Sequence, residues 1–534
     1  MKKLFVLSAV ALCTIAITGC KKGSGEAVDN SRAQLRIVTF DGGVGDQWLK
    51  NAAKLFKEKN AERTDFQDGR TGVQIHVSAN RSCTGGLLEY SDLNDDIYFT
   101  ENVDYYKLTN QGKLADITDI LTEANPNESG KTILDKIDVN LKNYMNRDGK
   151  YYAVPFYDCF YGLVYDKDLF KQHSFYMKDD SSFTNNPSEF GKGPNGIAGD
   201  WDDGLPKTYA EFDLMVKRMV AKGVTPFTYS SGNSTEYPAR ALESWWSDDE
   251  GYEQTNLNYT FNGTAKNIIT NIDDSGNYTT ESVAINKDNG YKLRSQAGIY
   301  NALHFARDIL CSSSTNYQAY SSNYDVQDAF INNKNAGGSA KPIAMMFEGT
   351  WWENEAAQSF DTAKSYYGVE EFHYGYMPIP KATDAKIGDA TLMNLNDSFG
   401  FISARCENMK LAKEFFAFLH TDEQMKNFTR ETNMTRGLQY EFSTSDFGQI
   451  SSYAQDLVSI KNSEHVKVVY PYSGLDFVIN NADTFSSNYW PWYTKNYTNN
   501  PIIKFIDNKN VTAKAYFEDH VNAISASEWS RLVN

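Results

Sequence analysis

The sequence predicts an α/β protein of more than one domain, and three observations carry that reading. Short apolar strands alternate with helices near the start of the chain, a second such series opens at Tyr161, and 534 residues exceed what one core usually holds. Residues 35–40 read as a first strand. Asp46 is placed to cap a helix in which Trp48, Leu49, Ala52, Ala53 and Phe56 recur at helical spacing. Val73, Ile75 and Val77 alternate as a strand does, and residues 97–99 form another short one. Strand, helix and strand at these lengths make a βαβ unit and a largely parallel sheet. In the second series, residues 162–165 are strand-like. Thr208 and Glu211 form a capping box before a helix with the apolar stripe Phe212, Met215, Val216, Met219 and Val220, stopped at Gly223. That stripe reads as a helix packed on a sheet and takes no ligand role. Residues 255–290, rich in Asn, Thr, Asp and Gly and with little periodicity, read as an elaborated surface insertion. Leu411, Phe415, Phe418 and Leu419 mark another core-facing helix, and Thr421 with Gln424 boxes the start of the next.

Composition narrows the function. Lys plus Arg number 52 against 69 Asp plus Glu, a net charge of −17, so a nucleic-acid partner would meet like-charge repulsion. The chain carries 34 Tyr, 31 Phe and 9 Trp, and several sit in polar, loop-like settings: Trp245-Trp246, Trp351-Trp352 and the stretch from Tyr489 to Tyr493 around Trp490. Flat apolar rings among polar neighbours suit a sugar, which has an apolar C–H face and a rim of hydroxyls. Cys83, Cys159, Cys311 and Cys406 are widely spaced with no CxxC pair, which fits small buried hydrophobes better than a disulfide scaffold or zinc site.

The first residues form a targeting signal. Lys2 and Lys3 precede an uncharged run from Leu4 to Ile17, too short to span a bilayer, which ends at Thr18-Gly19-Cys20. This end resembles the lipobox of bacterial lipoproteins, in which the cysteine becomes the acylated first residue of the mature chain. Residues 1–20 are therefore expected to be a lipoprotein signal peptide. Cys20 would be the lipid anchor on the extracytoplasmic face of the cell membrane, and 21–34 a flexible tether.

A longer resemblance covers residues 35 to 440. Asn146-Arg147-Asp148-Gly149-Lys150-Tyr151-Tyr152-Ala153-Val154-Pro155, continuing to Leu163-Val164-Tyr165-Asp166-Lys167-Asp168-Leu169-Phe170, resembles the "DGKxYAxP…YNKDLF" signature of family 1 extracellular solute-binding proteins. Those are the sugar-binding lipoproteins of bacterial ABC importers. Gly112 to Ile117 resembles the family's "GxLxDL", Pro206 to Phe212 its "PxTWxEF", Ala344 to Trp351 its "AAMxxxGxW", and Phe415 to Glu423 its "FxxFLxxxE" helix pair. The chain departs in its length, in the 255–290 insertion and in Asp166, where Asn is usual. The resemblance implies a two-lobed, periplasmic-binding-protein-like fold with hinge crossover strands. Residues 35–158 plus 400–445 would form one lobe, and 159–399 plus 446–534 the other. It further implies an oligosaccharide ligand, permease subunits of an ABC transporter as partners, no cofactor, and a monomer.

Candidate ligand contacts follow from the edge rule for open α/β sheets, which bind ligands beyond the carboxyl ends of their strands. The loop Asp41-Gly42-Gly43-Val44-Gly45 lies there, and without GK[ST] or a full GxGxxG it is not a phosphate cradle. Asp41, Glu101 after the third strand, and Asp158 beside the first crossover are expected to accept hydrogen bonds from sugar hydroxyls. Glu348 ends the apolar strand of residues 343–347, so Trp351 and Trp352 should emerge toward the cleft. The resemblance places a sugar-stacking Trp at Trp351, and Trp352 is included by adjacency. Neighbouring residues at a strand end point opposite ways, so one of the pair should stack while the other packs inside its lobe. Trp245 and Trp490 are further candidates. The alternatives are a surface glycan hydrolase or a glycan-binding adhesin. No catalytic residue or metal ligand is expected: there is no GxSxG, HExxH or Walker A motif, and 69 acids supply a carboxylate pair on paper to any chain.

Overall fold

A computed structural model of the chain describes residues 27–128, 130–395, 398–482, 484–485 and 491–534. The leader with Cys20, and Trp490, lie outside the described residues. Ten strands build two mixed sheets. They are β1 Ala33–Phe40, β2 Val73–Asn80, β3 Ile97–Thr100, β4 Val154–Pro155, β5 Tyr161–Asp166, β6 Thr225–Ser230, β7 Tyr317–Tyr320, β8 Ile343–Gly349, β9 Tyr374–Met377 and β10 Phe399–Ile402. The first sheet has the order β2-β1-β3-β10-β4 and the second β7-β6-β8-β5-β9. β1 is parallel to β2 and β3, and β10 runs antiparallel to β3 and β4. In the second sheet β6 is parallel to β7 and β8, while β5 runs antiparallel to β8 and β9.

Each sheet has its own core. Helix Gln47–Lys59 buries Trp48, Leu49, Ala52, Ala53 and Phe56. Phe56 meets the edge of Phe415 from helix Met409–Leu419 with ring centroids 5.1 Å apart. Asp46 makes no side-chain cap there, because its carboxylate pairs with Lys50 at 2.7 Å. In the second lobe, Thr208 caps helix Tyr209–Ala221, accepting from the Glu211 amide at 3.3 Å. Glu211 accepts in turn from the Lys207 amide at 2.6 Å, so the expected capping box is displaced by one residue.

The 255–290 segment is more ordered than its sequence suggests. Helix Tyr252–Thr260, an antiparallel hairpin of Gly263–Ile272 and Tyr278–Ile285, and a 3₁₀ helix Lys287–Ser295 pack with the C-terminal helix Ala526–Val533. Phe261, Leu293, Trp529 and Val533 form a third core there. Two register shifts in the hairpin and a solvent-facing side erase the period-two signal. The turn itself follows ordinary chemistry: Asp273 accepts from the amides of Ser275 at 2.8 Å and Asn277 at 2.9 Å.

The chain crosses from first sheet to second between β4 and β5 and returns between β9 and β10. A third passage leads from helix Asp422–Thr432 to helix Ser452–Asn462. That last helix turns Ala454 and Val458 to the first core and Tyr453, Leu457 and Ile460 to the second, so the expected boundary at 445 falls short of an element shared by both. The crossovers are tied at Asp158. Its carboxylate accepts from Thr435 Oγ1 at 2.7 Å and Lys461 Nζ at 2.8 Å. Its amide donates to the Thr435 carbonyl at 3.0 Å, and its carbonyl accepts from Thr350 Oγ1 at 2.7 Å. Leu395 donates to the Cys159 carbonyl at 3.0 Å, adding the remaining crossover. Asp158→Ala leaves the buried Lys461 ammonium without its carboxylate and should cost about 3–5 kcal/mol of stability. Urea denaturation measures this, and a loss under about 1 kcal/mol would show that the ion pair is dispensable.

Candidate functional site

The parallel strands of the two sheets aim their carboxyl ends at each other, and a cavity of about 900 Å³ lies between them. From the first lobe it receives the loop after β1, Arg81 after β2, and Glu101 after β3. From the second it receives Glu236, Tyr237 and Arg240 after β6, Tyr324 after β7, and Trp351, Asn354 and Glu355 after β8. Gly43 packs closely against Trp351 of the other lobe. Its φ of +83° lies in the left-handed region, and a Cβ there would come within 2.9 Å of Trp351 Cβ, so both backbone and space require glycine. Arg81 Nη2 reaches across the cavity to Tyr324 Oη at 3.3 Å, and Asn354 Nδ2 donates to the Thr432 carbonyl.

The cavity is acidic and aromatic. Asp41, Asp46, Glu101, Glu236, Glu355 and Glu431 face it against Arg81 and Arg240 alone among the described residues. Glu101 accepts a hydrogen bond from the Tyr157 hydroxyl. Trp351, only 6% exposed, is held edge-on by Tyr161 and Tyr237 with centroids at 5.0 and 5.8 Å.

Beneath this wall lies a buried polar layer. Asn323 Nδ2 donates to Glu348 Oε1 at 3.0 Å and to Glu355 Oε2 at 2.9 Å. Gln327 Nε2 bridges the same two oxygens at 3.3 and 2.8 Å. Burial, and then the adjacent Glu355 carboxylate, push the Glu348 pKa well above the usual carboxylate range; burial also raises that of Glu355. Glu353, which accepts from Ser451 Oγ at 2.6 Å, is pushed up to about 7 by burial.

The positions expected from sequence divide clearly. Asp41, Glu101 and Trp351 line the cavity. Glu348 sits under it, bonded to Asn323 and Gln327. Asp158 is not in the cavity wall: it is buried in the crossover knot, its carboxylate taken by Thr435 and Lys461. Trp352 points the other way from Trp351 and is fully buried in the second core, edge-on to Tyr374 at 5.1 Å. Trp245 is likewise core, stacked on Phe305 at 5.4 Å, because helix Tyr237–Glu250 is buried around nearly its whole circumference. The reading missed Arg81, Glu236, Arg240, Tyr324 and Glu355. Arg81 and Tyr324 follow strand ends and were open to the same edge rule that found Asp41.

The model of bacterial extracellular solute-binding proteins matches residues 89–426, more than half of the chain. The chain belongs to this family. No curated protein sequence matches it. Among solved structures, the apo form of RafE from Streptococcus pneumoniae is 15% identical with a TM-score of 0.54, covering 95% of this chain and all 100% of that one. RafE in complex with raffinose is 16% identical with a TM-score of 0.50, over 89% and 99% of the two chains. The GacH receptor of Streptomyces glaucescens, solved unliganded and with acarbose, is 12% identical over 92% and 97%, with a TM-score of 0.48. At these identities the likeness to RafE is one of fold. No helix among the described residues of this solute-binding protein is long and apolar enough to cross a membrane.

The buried acids make stability pH-dependent. A carboxyl whose folded pKa is raised keeps its proton longer in the folded state, so its contribution is full below its ordinary pKa and lost as pH rises through the folded value. For Glu353 that window runs from 4.5 to about 7. Tm should fall across it, and Glu353→Gln should flatten the slope. An unchanged slope in that variant would show that Glu353 does not titrate there.

Proposed function

We propose that this protein is the extracytoplasmic receptor for a neutral oligosaccharide, which it delivers to the permease of an ABC importer. One observation carries the reading: a cavity between two lobes combines a clamped tryptophan with six carboxylates, five of them following strands of the two sheets and the sixth, Glu431, from helix Asp422–Thr432. Carboxylates accept hydrogen bonds from hydroxyls, and charge-assisted bonds of this kind are worth about 1.5–3 kcal/mol each. Trp351, Tyr161 and Tyr237 offer ring edges and faces to the C–H side of a pyranose. Family membership and the resemblance in fold to RafE, which is described with raffinose, support the same reading. Six acids against two arginines repel an anionic glycan, so uronic and sialic acids are selected against.

Ligand entry requires the lobes to part at Arg81–Tyr324 and Gly43–Trp351, with bending at the Asp158 crossovers. Closure around the sugar then presents a changed surface to the permease, the usual hinge motion of such receptors. An acyl chain on Cys20 would hold the receptor beside its transporter, with a tether shorter than the expected 21–34, because β1 begins at Ala33.

The binding claim is tested by calorimetry against neutral oligosaccharides and glucuronic-acid oligosaccharides. The neutral set should contain the ligand and be recovered chemically unchanged. Trp351→Ala should weaken its binding at least about fivefold, the equivalent of ~1 kcal/mol of lost aromatic contact. Unaltered affinity in that variant removes Trp351 from the site, and cleavage of the glycan would make the protein a hydrolase. The anchor has its own test: Cys20→Ala should release the protein from the membrane fraction, and retention there would contradict lipidation.

A further inference from the structure

A second cavity of about 770 Å³, the size of a ligand site in its own right, adjoins the first. The partition is thin. Thr84 and Glu101 face the first chamber, Gly86 and Val103 face the second, and Asn102 lines both. The segments of this partition are pressed together: Gly85 N donates to the Glu101 carbonyl at 2.8 Å, and a Cβ on Gly85 would meet the Asn102 carbonyl oxygen at 1.8 Å. Asn102 itself has φ +55°, a left-handed conformation held by that packing at the junction of the chambers.

We propose that the two chambers form one channel with Asn102 at its waist, and that the physiological ligand is a linear oligosaccharide long enough to occupy both. The inference rests on the carbohydrate reading above and adds the length and path of the glycan. The second chamber has different chemistry from the first. Its charged groups are bonded locally: Lys107 pairs with Glu89 at 2.5 Å, Asp104 accepts from the Lys107 amide at 2.9 Å, and Arg294 bonds His520 Nδ1 at 2.7 Å and the Tyr493 carbonyl at 2.8 Å. What it presents instead is aromatic. Tyr144 of the first lobe stacks on Tyr472 of the C-terminal segment with centroids at 4.9 Å and planes 29° apart, and Tyr291 adds ring surface from the insertion, backed by the buried Trp529 of the last helix. Tyr90, 84% exposed, also lines the chamber. Locally bonded charges and many rings suit a neutral sugar that stacks and makes few ionic contacts.

The parts that build the wall make the same point. Tyr472 and Trp529 lie beyond the stretch matched by the family model, and Tyr291 lies in the 3₁₀ helix that follows the hairpin. The third core that packs the hairpin region against helix Ala526–Val533 therefore serves to hold this wall in place.

Calorimetry of the full chain against linear α- and β-glucan, fructan and galactoside ladders, from disaccharide to octasaccharide, tests the channel. In the ladder that binds, affinity should rise at least tenfold beyond the shortest member bound. Tyr90→Ala and Tyr472→Ala should each remove most of that gain while leaving the shortest member's affinity intact, which also shows that the variants fold. Tyr90 is exposed, so its truncation disturbs no core. Affinity that is flat with length, or equal losses for short and long members, overturns the channel and leaves the carbohydrate receptor standing. Failure of every ladder to bind overturns both.

Discussion

The arrangement of the molecule depends on one buried carboxylate. A lone Asp158 anion out of water would cost several kcal/mol, so the fold must bring it partners, and these come from separate passages of chain. Thr435 belongs to the third passage between lobes and Lys461 to the helix that both cores share. Satisfying Asp158 thus fixes where the crossovers meet, and with them how the strand ends of the two sheets face each other. Its carbonyl holds Thr350, the residue before Trp351, so hinge and stacking turn are parts of one hydrogen-bonded unit.

Rigid lobes around that joint come from unusual packing of charge. In the first lobe the Arg436 guanidinium lies 5.1–5.8 Å from the ring centroids of Trp48, Phe99, Phe156 and Phe428, and bonds His420 Nε2 at 2.9 Å. Burial brings its pKa down to about 9. In the second lobe, Glu348 behind the cavity wall and Glu355 at it share the two amides of Asn323 and Gln327. Both devices fix buried polar groups against specific neighbours inside one lobe, which favours two lobes that move as units about the crossovers.

The electrostatic division of the interlobe space has a simple origin. Strand ends of the parallel βαβ units supply acidic loops to the first chamber, whereas the second is walled largely by helices, the 3₁₀ helix after the inserted hairpin and the C-terminal segment, whose charged groups are bonded locally. One chamber can read hydroxyls and the other can stack rings.

Much of this was legible from the chain itself. Short apolar runs located β1 and β3, alternation located β2, and helical apolar spacing located helix Gln47–Lys59 and helix Tyr209–Ala221, because each element turns apolar residues to the core of its own lobe. The strand-edge rule reached Asp41, Glu101 and Trp351, because a carboxyl-end loop must lie near its own strand. What sequence could not decide was the direction of a side chain whose partners are remote. Asp158 and Trp245 have the residue types of sugar ligands but are claimed by Lys461 and Phe305, which stand 303 and 60 positions away in the chain. The hairpin of the insertion escaped for the opposite reason: its strands are irregular and half exposed, so their order comes from packing against a helix at the far end of the chain. Local pattern determined which elements form and where their loops emerge. Only the tertiary structure decided which polar and aromatic groups face the cavity, since that depends on desolvation and pairing between distant segments.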